Sequence, residues 1–295
     1  MRIDLAELNA MQRMGWLQHA VAPRPIALVS TVDGNGTANL SPFSFFNLVS
    51  SNPPVVVFSA ARRVRDNSIK HTLENVLEVP EAVIHICDYS MVQQISLSSC
   101  EYGKGVDEFI KAGFTKEAAS LVRPPMVQEA KIKLECRVLE VKSLGDQGGA
   151  GQLVFAEVIC MHVADEILND SGSMIDQRKI TTIARLGSDW YCTVTPANLF
   201  EVPKPNVKLG IGFDQLPESI RMSKVLTGNH LGQLANSDQI PAVAPNFDDD
   251  RLRQIIQYYS INPSDMEYEL HRYAAELLDQ QNTAAAWQVL LHGTV

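Results

Sequence analysis

The sequence has little of what several protein classes require. Its five cysteines are scattered over 295 residues without a CxxC pair, so we expect reduced thiols, a cytoplasmic location, no disulfide framework and no metal site. No apolar run approaches the about 18 residues that cross a membrane, so we expect no membrane association. The first fifteen residues contain Asp4 and Glu7 but no apolar core, which argues against a signal peptide.

Positive charge is also scarce. The chain has 25 Lys and Arg against 34 Asp and Glu, a net charge of −9, and a nucleic-acid surface needs clustered basic residues to neutralise phosphates. We therefore expect no nucleic-acid partner. The basic residues that do cluster are Arg62, Arg63, Arg65 and Lys70. One such cluster fits a single small anion, although a solvated basic surface is the commoner explanation for a cluster alone.

Short strands and glycine-containing turns dominate the first two thirds of the chain. The Asp-Gly-Asn-Gly segment at residues 33–36 is a strong hairpin signal. The predicted strands are residues 25–31, 37–40, 55–60, 82–87, 131–143 and 153–163. Asp66 or Asn67 is expected to cap a helix over residues 68–78. This pattern predicts a β-barrel with helical additions, an α+β fold overall.

After about residue 196 the pattern becomes helical. Residues 202–219 contain several prolines and glycines and are predicted to be a linker, and Ser264 with Glu267 predicts a capping box. One apolar stripe comprises Met266, Leu270, Tyr273, Ala274, Leu277 and Leu278. It must be buried against the barrel, a second subunit or the other tail helices. We favour contact of this stripe with the dimer, near the mouth of the predicted ligand pocket. We expect a domain over 1–195 and a linker plus helical extension over 196–295.

Residues 39–54, NLSPFSFFNLVSSNPP, mix short polar side chains with phenylalanines. Alone, such a stretch is more often a structural crossover than a ligand site. FMN, however, needs hydrogen-bond partners for its ring edge, apolar cover for a ring face, and donors or positive charge for its phosphate. Lys70 and Thr72 fall in the first turn of a predicted helix, where free N–H groups and the helix dipole favour an anion. The two segments together can therefore supply the three kinds of contact that FMN needs.

These segments resemble the flavin reductase-like family, whose fold is the FMN-binding split barrel. The resemblance covers residues 20–192 and includes APRPIALVSTVDGNGTANLSPFSFFNLVSSNPPVVVFS, KHTLENV, PPMVQEAKIKLECRVLEV and FAEVICMHVADEIL. It implies a homodimer with FMN near the subunit interface. By position, the residues implied to line the isoalloxazine are Asn39, Ser41, Ser44, Phe45 and Asn47. Those implied to approach the ribityl chain or phosphate are Ser59, Arg62, Lys70 and Thr72.

The chain departs from the family pattern at two places. His71 stands where the family often has Asp between the lysine and threonine, which should leave phosphate binding intact. Ala150 and Gly151 stand where shorter flavin reductases often carry a histidine, and this weakens the case for a nicotinamide site of the usual kind.

Three functions remain open on the sequence. The first is an oxidoreductase in which NAD(P)H reduces bound FMN, which then passes electrons to a small-molecule substrate or another acceptor. The second is a non-catalytic FMN-binding module, or a flavoprotein reduced by a partner protein. The third is a structural dimer with a vestigial pocket. Because flavin chemistry belongs to the cofactor, we expect no catalytic side chain.

Overall fold

Strands dominate the first two hundred residues of the computed structural model, which describes residues 1–202 and 209–292. The strands are β1 (Arg24–Pro25), β2 (Ala27–Val32), β3 (Ala38–Phe43), β4 (Phe46–Ser51), β5 (Pro54–Ser59), β6 (Glu81–Ile86), β7 (Lys116–Glu117), β8 (Met126–Val127), β9 (Ile132–Ser143), β10 (Gln152–Val163), β11 (Ile183–Arg185) and β12 (Tyr191–Thr193). The α-helices are α1 (Ala10–Ala20), α2 (His71–Glu78), α3 (Val92–Ser98), α4 (Glu108–Ala112), α5 (Glu218–Arg221), α6 (Gly228–Ala235), α7 (Asp250–Tyr258), α8 (Pro263–Asp279) and α9 (Thr283–His292). Short 3-10 helices lie at Leu5–Glu7, Tyr89–Met91, Asp165–Ile167, Pro196–Asn198 and Phe213–Gln215.

The main sheet has seven strands in the order β3-β2-β6-β9-β10-β5-β4. All neighbouring strands are antiparallel. The two edge strands, β3 and β4, are consecutive in the chain and are joined only by Ser44 and Phe45. The sheet must therefore curl until its two edges meet at these residues. This arrangement agrees with the predicted barrel and places the polar and aromatic stretch where the edges meet.

The hairpin between β2 and β3 forms where the glycine-containing turn predicts it. Asp33 Oδ1 accepts hydrogen bonds from the N–H groups of Asn35 and Thr37 at 3.0 and 2.8 Å. Gly36 has a φ of 85°, a left-handed conformation that favours glycine. The turn therefore fixes the register that pairs Ser41 with Val29.

The curled sheet separates two apolar cores. Alternate residues of β2 face opposite sides, so Ala27 and Val29 lie in the interior cluster while Leu28 lies in the outer one. Phe109 of α4 helps to cover the outer face. His85 belongs to this buried framework: its Nδ1 donates to Leu28 O and its Nε2 accepts from Val127 N–H, both at 2.8 Å. Burial lowers the pKa of His85 to about 4, as suits a neutral structural imidazole.

Helix α2 begins at His71, three residues later than predicted. Asp66 does not cap it, because its Oδ1 accepts from the N–H and hydroxyl groups of Ser68, which closes a turn before the helix. Lys70 occupies the N-cap position and makes no side-chain capping hydrogen bond. The start of α2 therefore keeps backbone donors that a serine or aspartate cap would have used.

The chain divides into two units, Met1–Phe200 and Glu201–Val295, and the second has its own core. Leu270 and Leu277 of α8 pack there with Trp287 of α9, so the α8 stripe is buried among the C-terminal helices, one of the three alternatives for it. The predicted capping box is also wrong. Helix α8 starts at Pro263, and Asn262 is its N-cap, because proline is favoured in the first helical turn.

The predicted linker is only partly within the described residues, since 203–208 lie outside them. Of the remainder, Leu216 and Ile220 are buried in the C-terminal core and therefore belong to the second unit. Among the described residues, none of the helices is long and apolar enough to cross a membrane.

Candidate functional site

A small polar pocket lies at the start of α2. We call it the polar pocket; its volume is about 70 Å³. It is lined by Asn39, Ser41, Arg63, Lys70, His71, Thr72, Ser98, Ser99, Cys100, Glu101, Tyr102 and Glu108. Four of the predicted cofactor residues, Asn39, Ser41, Lys70 and Thr72, thus meet in one place.

Backbone donors point out of the helix at this pocket. The N–H groups of Leu73 and Glu74 donate to Lys70 O at 2.9 and 3.2 Å. Within residues 1–202 and 209–292, no hydrogen bond is made by the N–H groups of His71 and Thr72, which precede them. Free N–H groups and the positive end of the helix dipole favour an anion here.

Lys70 and Arg63 add two positive charges. Lys70 Nζ lies 5.2 Å from the centroid of the Phe43 ring, and burial, followed by the charge of Arg63, lowers the pKa of Lys70. The Arg63 guanidinium donates to Ser68 Oγ at 2.9 Å and Ile69 O at 2.8 Å, while its Nε lies 3.4 Å from a Glu101 carboxylate oxygen. An anion between Lys70 and Arg63 would offset their repulsion.

A hydrogen-bonded chain forms the floor of the polar pocket. Thr72 Oγ1 donates to Asn39 Oδ1 at 2.7 Å, and Asn39 Nδ2 donates to Glu108 Oε1 at 2.9 Å. Glu108 Oε2 accepts from the Leu40 N–H at 3.1 Å. Burial raises the pKa of Glu108 despite these donors. Asn39 and Thr72 are themselves buried, so their side chains organise the pocket and the Thr72 N–H is the group directed to a ligand.

A second pocket, the middle pocket, adjoins the polar pocket through their shared residue Ser99. Its volume is about 210 Å³. It combines hydroxyl groups, two guanidinium groups and apolar surface from Gln18, Arg24, Ile26, Pro42, Ser44, Ile95, Ser96, Arg185 and Tyr191. A planar ring with a polar edge suits such a mixed lining.

A third, larger space, the apolar cavity, shares Gln18 and Arg24 with the middle pocket. It has a volume of about 590 Å³ and is lined by α1, Phe45 and the turn containing Ala150. That turn is fixed by hydrogen bonds in both directions between Arg62 and Gly149–Ala150. A Cβ at Gly148 would lie 2.9 Å from Val64 O, so the close approach requires glycine.

A family model described as a flavin reductase like domain matches residues 19–183, more than half of the chain. The chain belongs to the flavin reductase-like family. A curated relative from Aquifex aeolicus, an uncharacterised protein, is 36% identical over 171 residues, which are 58% of this chain and 84% of the relative. The matched region ends before the C-terminal helices.

Solved structures confirm the predicted fold. Nitrilotriacetate monooxygenase component B from Bacillus cereus is 28% identical, with a TM-score of 0.64 over 68% of this chain and 98% of that one. A putative flavin reductase with a split barrel domain from Shewanella frigidimarina is 26% identical, with a TM-score of 0.59 over 69% and 99%. The first unit of this family member is thus a flavin reductase-like split barrel.

The predicted cofactor residues of this flavin reductase-like protein separate into four groups. Besides the four in the polar pocket, Ser44 lines the middle pocket, whereas Phe45 and Arg62 line the apolar cavity. Asn47 and Ser59 line none of the three. Asn47 is exposed on β4, and its Oδ1 accepts from the Leu48 N–H; Ser59 is buried in β5.

Two arginines that line these spaces, Arg63 and Arg24, are not among the cofactor residues predicted from the sequence. Arg63, not Arg62, lies in the polar pocket, because the guanidinium of Arg62 is held by the side chain and carbonyl of Asn67 at 2.7 and 2.8 Å. The basic run indicated an anion site but not which arginine faces it. Arg24 lines both the middle pocket and the apolar cavity. The sequence pointed to it only by placing a cationic residue at the start of a buried strand.

Glu135, Cys160 and His162 form a further cluster, with candidate metal-ligand atoms within 4.8 Å of one another. His162 Nε2 lies 2.6 Å from Glu135 Oε1, which is a hydrogen-bond distance. The Glu135 carboxylate also accepts from the N–H groups of Ser120, Leu121 and Val122. Burial opposes its ionisation, but these donors and His162 together keep the pKa of Glu135 low. The carboxylate therefore anchors a loop.

Proposed function

We propose that this protein is an FMN-binding oxidoreductase in which NAD(P)H reduces the bound flavin and a small molecule or partner protein receives the electrons. The observation that carries the proposal is the polar pocket, where Lys70 and Arg63 flank two free N–H groups at the start of α2. Its small volume and its donors suit one phosphate group. The family membership supports a flavin as the molecule that carries it.

The polar pocket and the middle pocket offer a continuous path for such a ligand. Lys70, Arg63 and the N–H groups of His71 and Thr72 would hold the phosphate. Ser41 and Ser99 would face the ribityl chain, because Ser41 lines the polar pocket and Ser99 joins it to the middle pocket.

The ring would then lie in the middle pocket. Ser44 and the main chain around it would meet its polar edge, while Ile26, Pro42 and Tyr191 would cover it. Phe45 faces the adjoining apolar cavity, so the flavin would border a space large enough for a second molecule.

Bound FMN would supply the hydride and electron transfer chemistry. The contribution of the protein is to bind the phosphate, orient the ring and exclude water from one side of it. None of these tasks needs a side chain that gains or loses a proton, so we assign no catalytic acid or base.

We further propose that the protein acts as a homodimer. Leu48 and Val49 on the edge strand β4 are 63% and 51% exposed, and Met11 and Trp16 on α1 are 66% and 49% exposed. An exposed apolar edge strand is a liability that proteins usually cover. A second copy of the chain, as the family resemblance implies, would cover it beside the proposed flavin site.

Two measurements test the proposed function. Titration with FMN, followed by flavin fluorescence, tests binding; a protein that leaves FMN fluorescence unchanged at micromolar concentrations contradicts the cofactor assignment. Stopped-flow absorbance of the FMN-loaded protein mixed with NADH or NADPH then tests reduction.

The stopped-flow result also separates the two flavin functions left open by the sequence. The apolar cavity beside Ala150 has no histidine among its described lining residues, and this observation favours the alternative that a partner protein reduces the flavin. Bleaching of the flavin within seconds supports direct reduction, while no bleaching by either nucleotide favours the partner.

A further inference from the structure

The apolar cavity is not used by the phosphate and ring assignments above. Its volume, about 590 Å³, lies within the range of small-molecule sites. Met14, Leu17 and Val21 line it from α1, and Phe45 and Ala150 line it from the barrel. Such walls suit a planar, largely apolar molecule.

The charges around this cavity all have one sign. Arg13, Arg24 and Arg62 line it, and no Asp or Glu does so among residues 1–202 and 209–292. This is unusual in a chain with a net charge of −9. Arg13 is exposed and Arg62 is held by Asn67, so Arg24 is the guanidinium that is both buried and unneutralised.

Arg24 is 6% exposed. Its two terminal nitrogens donate only to carbonyl oxygens, those of Gln18, Val21 and Leu186. Its Nε has no hydrogen-bond partner in the described parts of the chain. Burial, followed by the charge of Arg185, lowers the pKa of Arg24. A buried charge of this kind is costly unless it is compensated.

We propose that the apolar cavity binds a planar aromatic carboxylate, with the carboxylate at Arg24 and the ring between α1 and Phe45. The carboxylate would pair with the Arg24 guanidinium, whose Nε has no partner among the described residues, and the apolar walls favour a ring over an inorganic anion. The role of this molecule as the second reactant rests on the proposed function, because it would lie beside the flavin. The binding site itself depends only on the cavity and its charge.

Benzoate and benzamide make a matched pair of probes, because they have nearly the same shape and only benzoate is charged. Isothermal titration of the full-length protein, with and without FMN at constant ionic strength, should show benzoate binding at least about tenfold tighter than benzamide, as expected for a charge-assisted hydrogen bond. Equal affinities would overturn the proposal, since the arginine would then contribute nothing.

Two variants locate the site. Ala150→Phe fills the cavity without changing any charge and should abolish benzoate binding, whereas Arg24→Gln should weaken benzoate about tenfold or more and leave benzamide unchanged. Arg137→Gln, at an exposed arginine of β9 outside the three pockets, is the matched control and should bind benzoate normally. Arg24→Gln also removes hydrogen bonds to three carbonyls. If the Arg24→Gln variant does not fold, the Ala150→Phe result alone tests whether benzoate binds in the apolar cavity.

Wild-type benzoate affinity in Ala150→Phe would refute this location. The outcome is independent of the cofactor assignment: a protein that binds benzoate through Arg24 but fails to bind FMN would contradict the proposed function and leave this site standing. A protein that binds FMN but not benzoate would contradict this site and leave the FMN part of the proposed function standing.

Discussion

Replacing Lys70 by methionine should change FMN affinity and protein stability in opposite directions. Methionine keeps most of the apolar stem beside Phe43 and removes only the ammonium group. Loss of a charged hydrogen bond costs about 1.5–3 kcal/mol, so the Kd for FMN should rise about 10- to 150-fold. The charge sits in a partly buried place near Arg63, so salt should screen this loss less than at an exposed site.

The stability of the FMN-free protein should increase in Lys70→Met, although its FMN affinity falls. Because burial and Arg63 lower the pKa of Lys70, the folded, FMN-free protein disfavours the charged form that is present at neutral pH. Removing the charge should therefore raise the free energy of unfolding, and this gain should shrink as the pH rises through the lowered pKa. Urea denaturation of the FMN-free protein at two pH values measures it.

Riboflavin, which lacks the phosphate, is the control ligand, and Lys142→Met, at an exposed lysine of β9, is the control variant. Lys70→Met should leave riboflavin affinity almost unchanged, and Lys142→Met should leave both affinities unchanged. An equal loss of FMN and riboflavin affinity, or a loss of stability together with affinity, would refute the assignment of the phosphate to Lys70.

Three further outcomes are expected. Asn39→Ala should lower the free energy of unfolding by about 1–3 kcal/mol, because Thr72 and Glu108 would both lose a buried partner; Ser41→Ala, in which no such pair is broken, should cost less in the same urea titration. Burial raises the pKa of Glu108, so the free energy of unfolding should fall as pH rises between the ordinary and the raised pKa, and Glu108→Gln should remove that part of the pH dependence; an identical pH profile would contradict the burial argument. A protein truncated after Phe200 should remain a folded, FMN-binding dimer by light scattering, and a folded, flavin-loaded monomer would refute the proposed interface.

The local elements of the fold could be predicted because their signals are local. The turn at residues 33–36 and the long alternating strands β9 and β10 formed within a residue or two of the predicted bounds. Helix starts were less certain, since several residues compete for each cap. Asp66 accepts a hydrogen bond from the Ser68 N–H in the turn before α2 and so does not cap that helix. Helix α8 starts at Pro263, one residue before the predicted capping box.

The site could be predicted only where its residues are close in sequence. The basic cluster and the helix start predicted that Lys70 and Thr72 lie together, and both line the polar pocket. The choice between Arg62 and Arg63 depends on how Asn67 holds one of them, which a side-chain pattern does not encode. Arg24 is positioned partly by the carbonyl of Leu186, 162 residues away, and a local pattern does not indicate that contact.

The joining of β3 to β4 through Ser44 and Phe45 has a consequence for the order of folding. The hairpins β2–β3 and β4–β5 involve neighbouring segments and should form rapidly. Pairing of β5 with β10 joins residues about one hundred positions apart, such as Val57 and Phe155, and such non-local pairing is slow. Because Ser44 and Phe45 lie between the two early hairpins, their surroundings are completed only by the last strand pairing. Capture of a flavin during refolding should therefore lag behind the recovery of secondary structure.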